Sequence, residues 1–111
     1  MKFRPGDVVL VNLGTNTEGH EQSGVRPGVF VSQEGGVSIL IPLSSNAARL
    51  QFKGTVRIMP SMSNKLAKSS VALVFQLRAV DSRRLLHRIG SSSPMEKRTV
   101  NKMLHSVASI K

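Results

Sequence analysis

The sequence predicts a small, mainly β domain with helices: an antiparallel barrel or curled sheet carrying an amphipathic helix at its C-terminal end. Two observations carry this prediction. Short runs rich in Val, Ile and Leu recur along residues 7–80 with Gly, Pro, Ser and Asn clusters between them, which is the pattern of strands joined by turns. The last twenty residues change period, to the three-and-four spacing of one helix face. The length of 111 residues, 40% of them hydrophobic, suits one compact core and is short for two.

Taken in order, the turn "RPGD" leads into "DVVLVNL" (7–13), a nearly continuous β-branched run that reads as a buried strand. "GVFV" (28–31) is a second strand, entered through Pro27, and "QEGG" (33–36) is a turn. "VSILIPL" (37–43) is a third strand. "GTVRIMP" (54–60) alternates Val56 and Ile58 with Thr55 and Arg57, a half-buried fourth. "SSVALVFQLRAV" (69–80) reads as one long fifth strand with Leu73, Phe75 and Leu77 on a common face. "DSRRLL" (81–86) reads as a short helical turn capped by Asp81. In "SSPMEKRTVNKMLHSVASIK", Ser93, Pro94 and Glu96 form a capping box with proline at the first helical position. Val100, Met103, Leu104 and Val107 then make the apolar face of a helix packed on the sheet.

Charge is distributed unevenly. Residues 1–48 hold three basic and four acidic side chains, a net of −1, whereas residues 49–111 hold thirteen basic and two acidic ones, a net of +11. Such a field draws in polyanions. Nucleic acid is the leading partner, an acidic protein segment the next. An anionic membrane surface comes third, since no long amphipathic stretch carries aromatic anchors. The absence of cysteine removes disulfides and thiolate metal sites and suits a reducing cytosol. No apolar run spans a bilayer, and "MKFRPGD" lacks the apolar block of a signal peptide, so the expectation is a soluble, cytoplasmic protein.

The polar stretch "GHEQSGVRPG" (19–28) lies between two apolar runs and has no use in a core. Most catalytic chemistries find no support. His20, His87 and His105 are far apart, the six carboxylates form no close pair, and nothing resembles a phosphate-binding Gly-rich loop or a nucleophile elbow. No metal or other cofactor is called for. One reaction fits what is left. RNA brings its own nucleophile, the 2′-hydroxyl, and a protein need only hold the backbone in line, move protons and stabilise charge on phosphorus. His20 and Arg26 in this stretch, with Ser44, Ser45 and Asn46 of the "PLSSN" corner, supply suitable groups.

Five stretches then carry a resemblance: "PGDVVLVNLG", "GHEQSGVRPGVFVS", "ILIPLSS", "SSVALVFQLRAVDSRRL" and "IGSSSPMEKRTVNKML". In this order they are similar to successive motifs of the MazF/PemK family of bacterial toxin endoribonucleases. The resemblance implies one toxin domain over residues 1–111, an SH3-like small barrel of the CcdB/MazF type plus a C-terminal helix, working as a homodimer. It implies metal-independent cleavage of single-stranded mRNA at short motifs, leaving a 2′,3′-cyclic phosphate and a 5′-hydroxyl. It also implies an antitoxin partner whose acidic tail covers the RNA groove.

By the same resemblance, Arg26 matches the catalytic arginine of the family's Arg-Pro pair. His20 matches a position that is histidine in the PemK branch, where it orients phosphate or acts as base. Ser44 stands where the family usually has a catalytic threonine, and so lacks the methyl that restricts that hydroxyl. Glu21 and Gln22 tie the loop or contact bases, and Gln76 and Arg78 match contacts near the groove. Arg49, Lys53 and Arg57, around the loop after the third strand, are natural phosphate contacts. Two positions depart from the PemK branch. Phe75 replaces an acid and Leu73 an arginine, so that branch's proton-transfer set is not intact. Arg26 with Ser44 resembles the MazF arrangement instead. The competing expectation is a CcdB-like inhibitor that does not cut RNA, or an inactivated relative that binds RNA or antitoxin only.

Overall fold

A computed structural model describes residues 2–14 and 23–109. Among them, seven strands pair antiparallel: β1 (Asp7–Asn12), β2 (Val25–Glu34), β3 (Val37–Ser44), β4 (Thr55–Ile58), β5 (Ser70–Leu73), β6 (Arg78–Asp81) and β7 (Leu85–Ser91). One helix, α1 (Pro94–Ala108), follows them. The strand order is β4-β5-β3-β2-β1-β7, with β6 also on β3. β4 and β7 end this path without pairing to each other, so the small barrel is left open.

Strand register explains how so short a chain buries side chains on both faces of the sheet. Successive side chains of a strand point to opposite sides. On one side Val8, Val29, Ile41, Leu43, Ile58 and Ala72 form a cluster that α1 covers with Val100, Met103, Leu104 and Val107. On the other, Val9, Val11, Phe30, Leu40, Val80 and Leu85 form a second cluster. This two-sided burial is why "DVVLVN" reads as a continuous apolar run. Full burial of each such side chain is worth about 1.5–3 kcal/mol.

The elements follow local chemistry closely at both ends of the chain. β2 and β3 are joined by the two residues Gly35 and Gly36, and Gly35 takes a φ of 60°. A left-handed turn of that kind costs glycine nothing. The expected capping box is present: the Ser93 hydroxyl accepts from the Glu96 N–H at 3.1 Å, and the Glu96 carboxylate accepts from the Ser93 N–H at 2.8 Å. Asp81 caps a 3-10 turn at Ser82–Arg84, accepting from the Arg83 N–H at 2.9 Å. The Arg83 guanidinium also forks onto this carboxylate, and these hydrogen bonds pull the Asp81 pKa down to about 2.

Two expectations need correction, and one strand was not foreseen. The long strand over 69–80 is two strands, β5 and β6, separated by a 3-10 turn at Val74–Gln76. Both pair with β3, β6 along Val37–Leu40 and β5 at Leu43–Ser44. The break falls opposite Ile41–Pro42, and Pro42 has no N–H to offer a ladder. The turn also ends the common face: Leu73 is fully buried, whereas Phe75 and Leu77 are 40% and 39% exposed. β7 was not legible as a strand, since its burial does not alternate and its pairing with β1 shifts register twice. β2 is longer than "GVFV" by several residues at each end, because Pro27 sits within the ladder opposite Leu10 instead of before it.

Candidate active site

β2 and β3 bring the two principal polar residues together. Their register pairs Gly28 with Pro42, and two residues beyond that pair on each strand stand Arg26 and Ser44. A side chain at position 28 would crowd this pairing: a Cβ would sit 3.2 Å from the Ile41 carbonyl oxygen. Arg26 and Ser44 line one cleft of about 190 Å³, together with Ser45, Leu66, Lys68 and Ser70. Among the described residues, no carboxylate lines it. An anion would therefore meet cations, hydroxyls and apolar walls, and no like charge from the described residues.

Each group is held. The Arg26 Nε donates to the Ser23 carbonyl at 2.6 Å. Just before it, the Leu13 N–H donates to the Gly24 carbonyl at 2.9 Å and the Gly24 N–H to the Gly14 carbonyl at 2.7 Å. His20, Glu21 and Gln22 lie outside the described residues. Ser44 is buried, and its Oγ accepts from the Asn46 N–H at 3.1 Å. That bond takes up an acceptor site and leaves the hydroxyl proton free to donate. Asn46 in turn accepts from the Ala48 N–H at 3.0 Å, capping a 3-10 helix at Ala47–Gln51.

The remaining expected residues spread along one face. Ser44 is opposite Val71, which is opposite Arg57 on β4, so all three project to one side, away from α1. Strand spacing puts Arg57 about 10 Å from Ser44. Arg78, opposite Leu40, projects to the same side. With Gln76 it lines a separate depression of about 260 Å³ beside Phe75. Lys53 is exposed before β4. Arg49 is half-buried, and its Nε has no hydrogen-bond partner among the described residues. None of Arg49, Lys53, Arg57, Gln76 and Arg78 lines the Arg26 cleft. Phe75 does not line it either; its ring packs on Phe52, centroids 5.9 Å apart and inclined 47°. Leu73 is buried in β5, where an arginine would have no water.

The cleft residues that sequence reasoning missed are Lys68 and Ser70. Their one signal in the sequence is that "AKSSVAL" runs a cation directly into a strand, and a cation among thirteen in that part of the chain does not stand out.

Comparison with known proteins gives a consistent result. Residues 4–108 match the family model described as PemK-like, MazF-like toxin of type II toxin–antitoxin system. Endoribonuclease MazF of Staphylococcus saprophyticus is 31% identical over 104 residues, which cover 89% of this chain and 85% of that protein. MazF from Deinococcus radiodurans superposes with a TM-score of 0.76 at 26% identity, covering 95% of this chain and 94% of that one. A mycobacterial endoribonuclease in complex with its cognate antitoxin shares the fold, with a TM-score of 0.72 at 15% identity over 96% and 94% of the two chains.

Proposed function

Since this chain belongs to the PemK-like, MazF-like toxin family of type II toxin–antitoxin systems, we propose that it is an endoribonuclease toxin that cuts single-stranded mRNA at short motifs without a metal ion. The 2′-hydroxyl of the RNA attacks the adjacent phosphorus, and the bond from phosphorus to the 5′ oxygen of the next nucleotide breaks. The products are a 2′,3′-cyclic phosphate and a 5′-hydroxyl. One proton leaves the attacking oxygen and one reaches the departing oxygen. Arg26 forks onto the non-bridging oxygens, where charge grows as the phosphorane forms, and is the leading donor to the departing oxygen. Ser44 completes the anion cradle with its free hydroxyl proton. His20 is the candidate base or phosphate-orienting residue, and Glu21 and Gln22 the candidate loop or base contacts.

The observation that carries this reading is the convergence of Arg26 and Ser44, from adjacent strands, on one cleft that no carboxylate among the described residues lines. Ser45 lines it, and Asn46 is joined to it through its N–H on Ser44. Arg57 and Arg78 share its side of the sheet, and Arg49 and Lys53 flank it in sequence, as a backbone-tracking surface requires. The partner is an antitoxin with an acidic segment, matched to the +11 charge of residues 49–111. A homodimer acting in the cytoplasm, with residues 1–111 as a single toxin domain, completes the proposal. Among the described residues, no helix is long and apolar enough to cross a membrane.

The test is incubation of purified protein with a long RNA in EDTA, with 5′ ends mapped. Cuts at a recurring short motif are expected, and Arg26→Ala should slow cutting by about 10²–10³-fold. Cutting by that variant at the parent rate would sink the mechanism. Intact RNA with the parent protein would favour the CcdB-like inhibitor.

A further inference from the structure

Lys68 reaches the Arg26 cleft from a part of the chain that no motif marks, on a segment fastened at several points. Asn64 is fully buried and works as a hub. Its Oδ1 accepts from the Ser61 and Leu66 N–H groups, each at 3.0 Å. Its Nδ2 donates to the Met59 carbonyl at 2.9 Å and to the Glu96 carboxylate at 3.0 Å, so the segment is joined to the first turn of α1. On the β7 side, the Ser63 hydroxyl donates to the Ser91 carbonyl at 2.6 Å, and the Ser91 N–H to the Ser63 carbonyl at 2.9 Å. Lys65 holds a φ of 55°, the one positive value at a non-glycine residue among those described. Leu66 then enters the core under α1. Beyond Lys68, the Ser70 hydroxyl donates to the Lys68 carbonyl at 3.1 Å. The backbone is therefore held on both sides of Lys68, while its side chain stays exposed. Among the described residues it has no ion-pair partner.

We propose that Lys68 is a phosphate-binding residue of the cleavage reaction, placing its ammonium on the RNA backbone at the scissile or the adjacent phosphate, with Arg26. This rests on the reading of the cleft as the endoribonuclease site. A compact ammonium on a flexible stem neutralises phosphate as a point charge and needs no fork geometry, which suits a position at the cleft edge. Arg26, by contrast, is oriented by its bond to Ser23. One cation is fixed and directional, the other mobile on a fixed stalk. The anchoring stabilises the fold, and the exposed lysine, which has no ion-pair partner among the described residues, adds a presented charge at the cleft.

The experiment compares the parent, Lys68→Ala, Lys68→Arg, Arg26→Ala and the helix-surface control Lys102→Ala, cutting one RNA in EDTA over a range of salt. Lys68→Ala should lower kcat/KM by about 10–100-fold at low salt, the range for loss of one charge-assisted hydrogen bond. Its plot of log kcat/KM against log salt should be shallower by about 0.7, the value for one phosphate contact to a single strand. Lys68→Arg should restore both within a few-fold, and Lys102→Ala should change neither. A thermal melt of Lys68→Ala matching the parent excludes a folding defect, as expected for an exposed side chain. Parent-like rate and salt slope in Lys68→Ala, with Arg26→Ala inactive, would overturn the assignment and leave the endoribonuclease reading intact. No cutting by the parent protein would overturn that reading, and this assignment with it.

Discussion

Ser44 has no methyl group to limit its side-chain rotamers, and the Asn46 N–H does the same work by hydrogen bonding to its Oγ. In the proposed mechanism this hydroxyl donates to phosphate. Ser44→Ala should therefore reduce cleavage by about 10²-fold while moving the melting temperature little, since the orphaned N–H belongs to exposed Asn46 and turns to water. Ser44→Thr should cut within several-fold of the parent. Single-turnover rates and a thermal melt check both, and an active Ser44→Ala would remove the hydroxyl from the mechanism. Arg26 stood out as a candidate in the sequence because it lies in a polar stretch between two apolar runs and matches the Arg-Pro pair of the family motif. Lys68 did not, because nothing in "LAKSS" differs from any exposed loop with a lysine in it. Phe75 stands where the PemK branch has an acid, and its ring packs on Phe52.

At the scale of elements, the segment from Met59 to Ser70 matters more than its lack of regular structure suggests. Gly90 in β7 is the space it occupies: a Cβ there would lie 2.5 Å from the Asn64 carbonyl oxygen and 2.6 Å from that of Ser63. Those are backbone atoms held by the Asn64 hub and cannot swing aside as a side-chain tip can. Gly90→Ala should destabilise the protein by about 1–3 kcal/mol, read by urea denaturation, and should slow RNA cutting under folding conditions by displacing Lys68. Unchanged stability would show that the segment yields easily and is not a rigid support. The capping box, the Gly-Gly hairpin and the Asp81 cap were legible because each is settled within about four residues. The split of 69–80 was not. Its residues favour strand throughout, and the break comes from β3, about thirty residues earlier in the chain, which pairs with two segments and carries Pro42 between them.

Across the whole molecule, the sheet separates two tasks. One side packs against α1, and the other carries Ser44, Arg57 and Arg78, with Lys68 at the cleft. If Arg26, Arg57, Lys68 and Arg78 each neutralise a phosphate, binding of an uncleavable 2′-O-methyl RNA should fall with salt. The slope of log K against log salt should be about −3. A slope near zero, measured by fluorescence anisotropy, would remove the electrostatic surface from the proposal. The charge that drives such binding was countable in the sequence, as +11 over residues 49–111; the side of the sheet that would display it was not.

By itself, the sequence determined the kinds of element, the caps and turns that bound them and the excess of positive charge. These depend on backbone preferences and hydrogen bonds between near neighbours, or on composition alone. Tertiary structure decided that Arg26, Ser44 and Lys68 meet, that one apparent strand is two, and that Phe75 lies outside the cleft. Those outcomes depend on strand register between segments tens of residues apart. A shift of one residue would turn every side chain to the other face, and only the packing of two apolar clusters on opposite sides of the sheet selects the register that is formed.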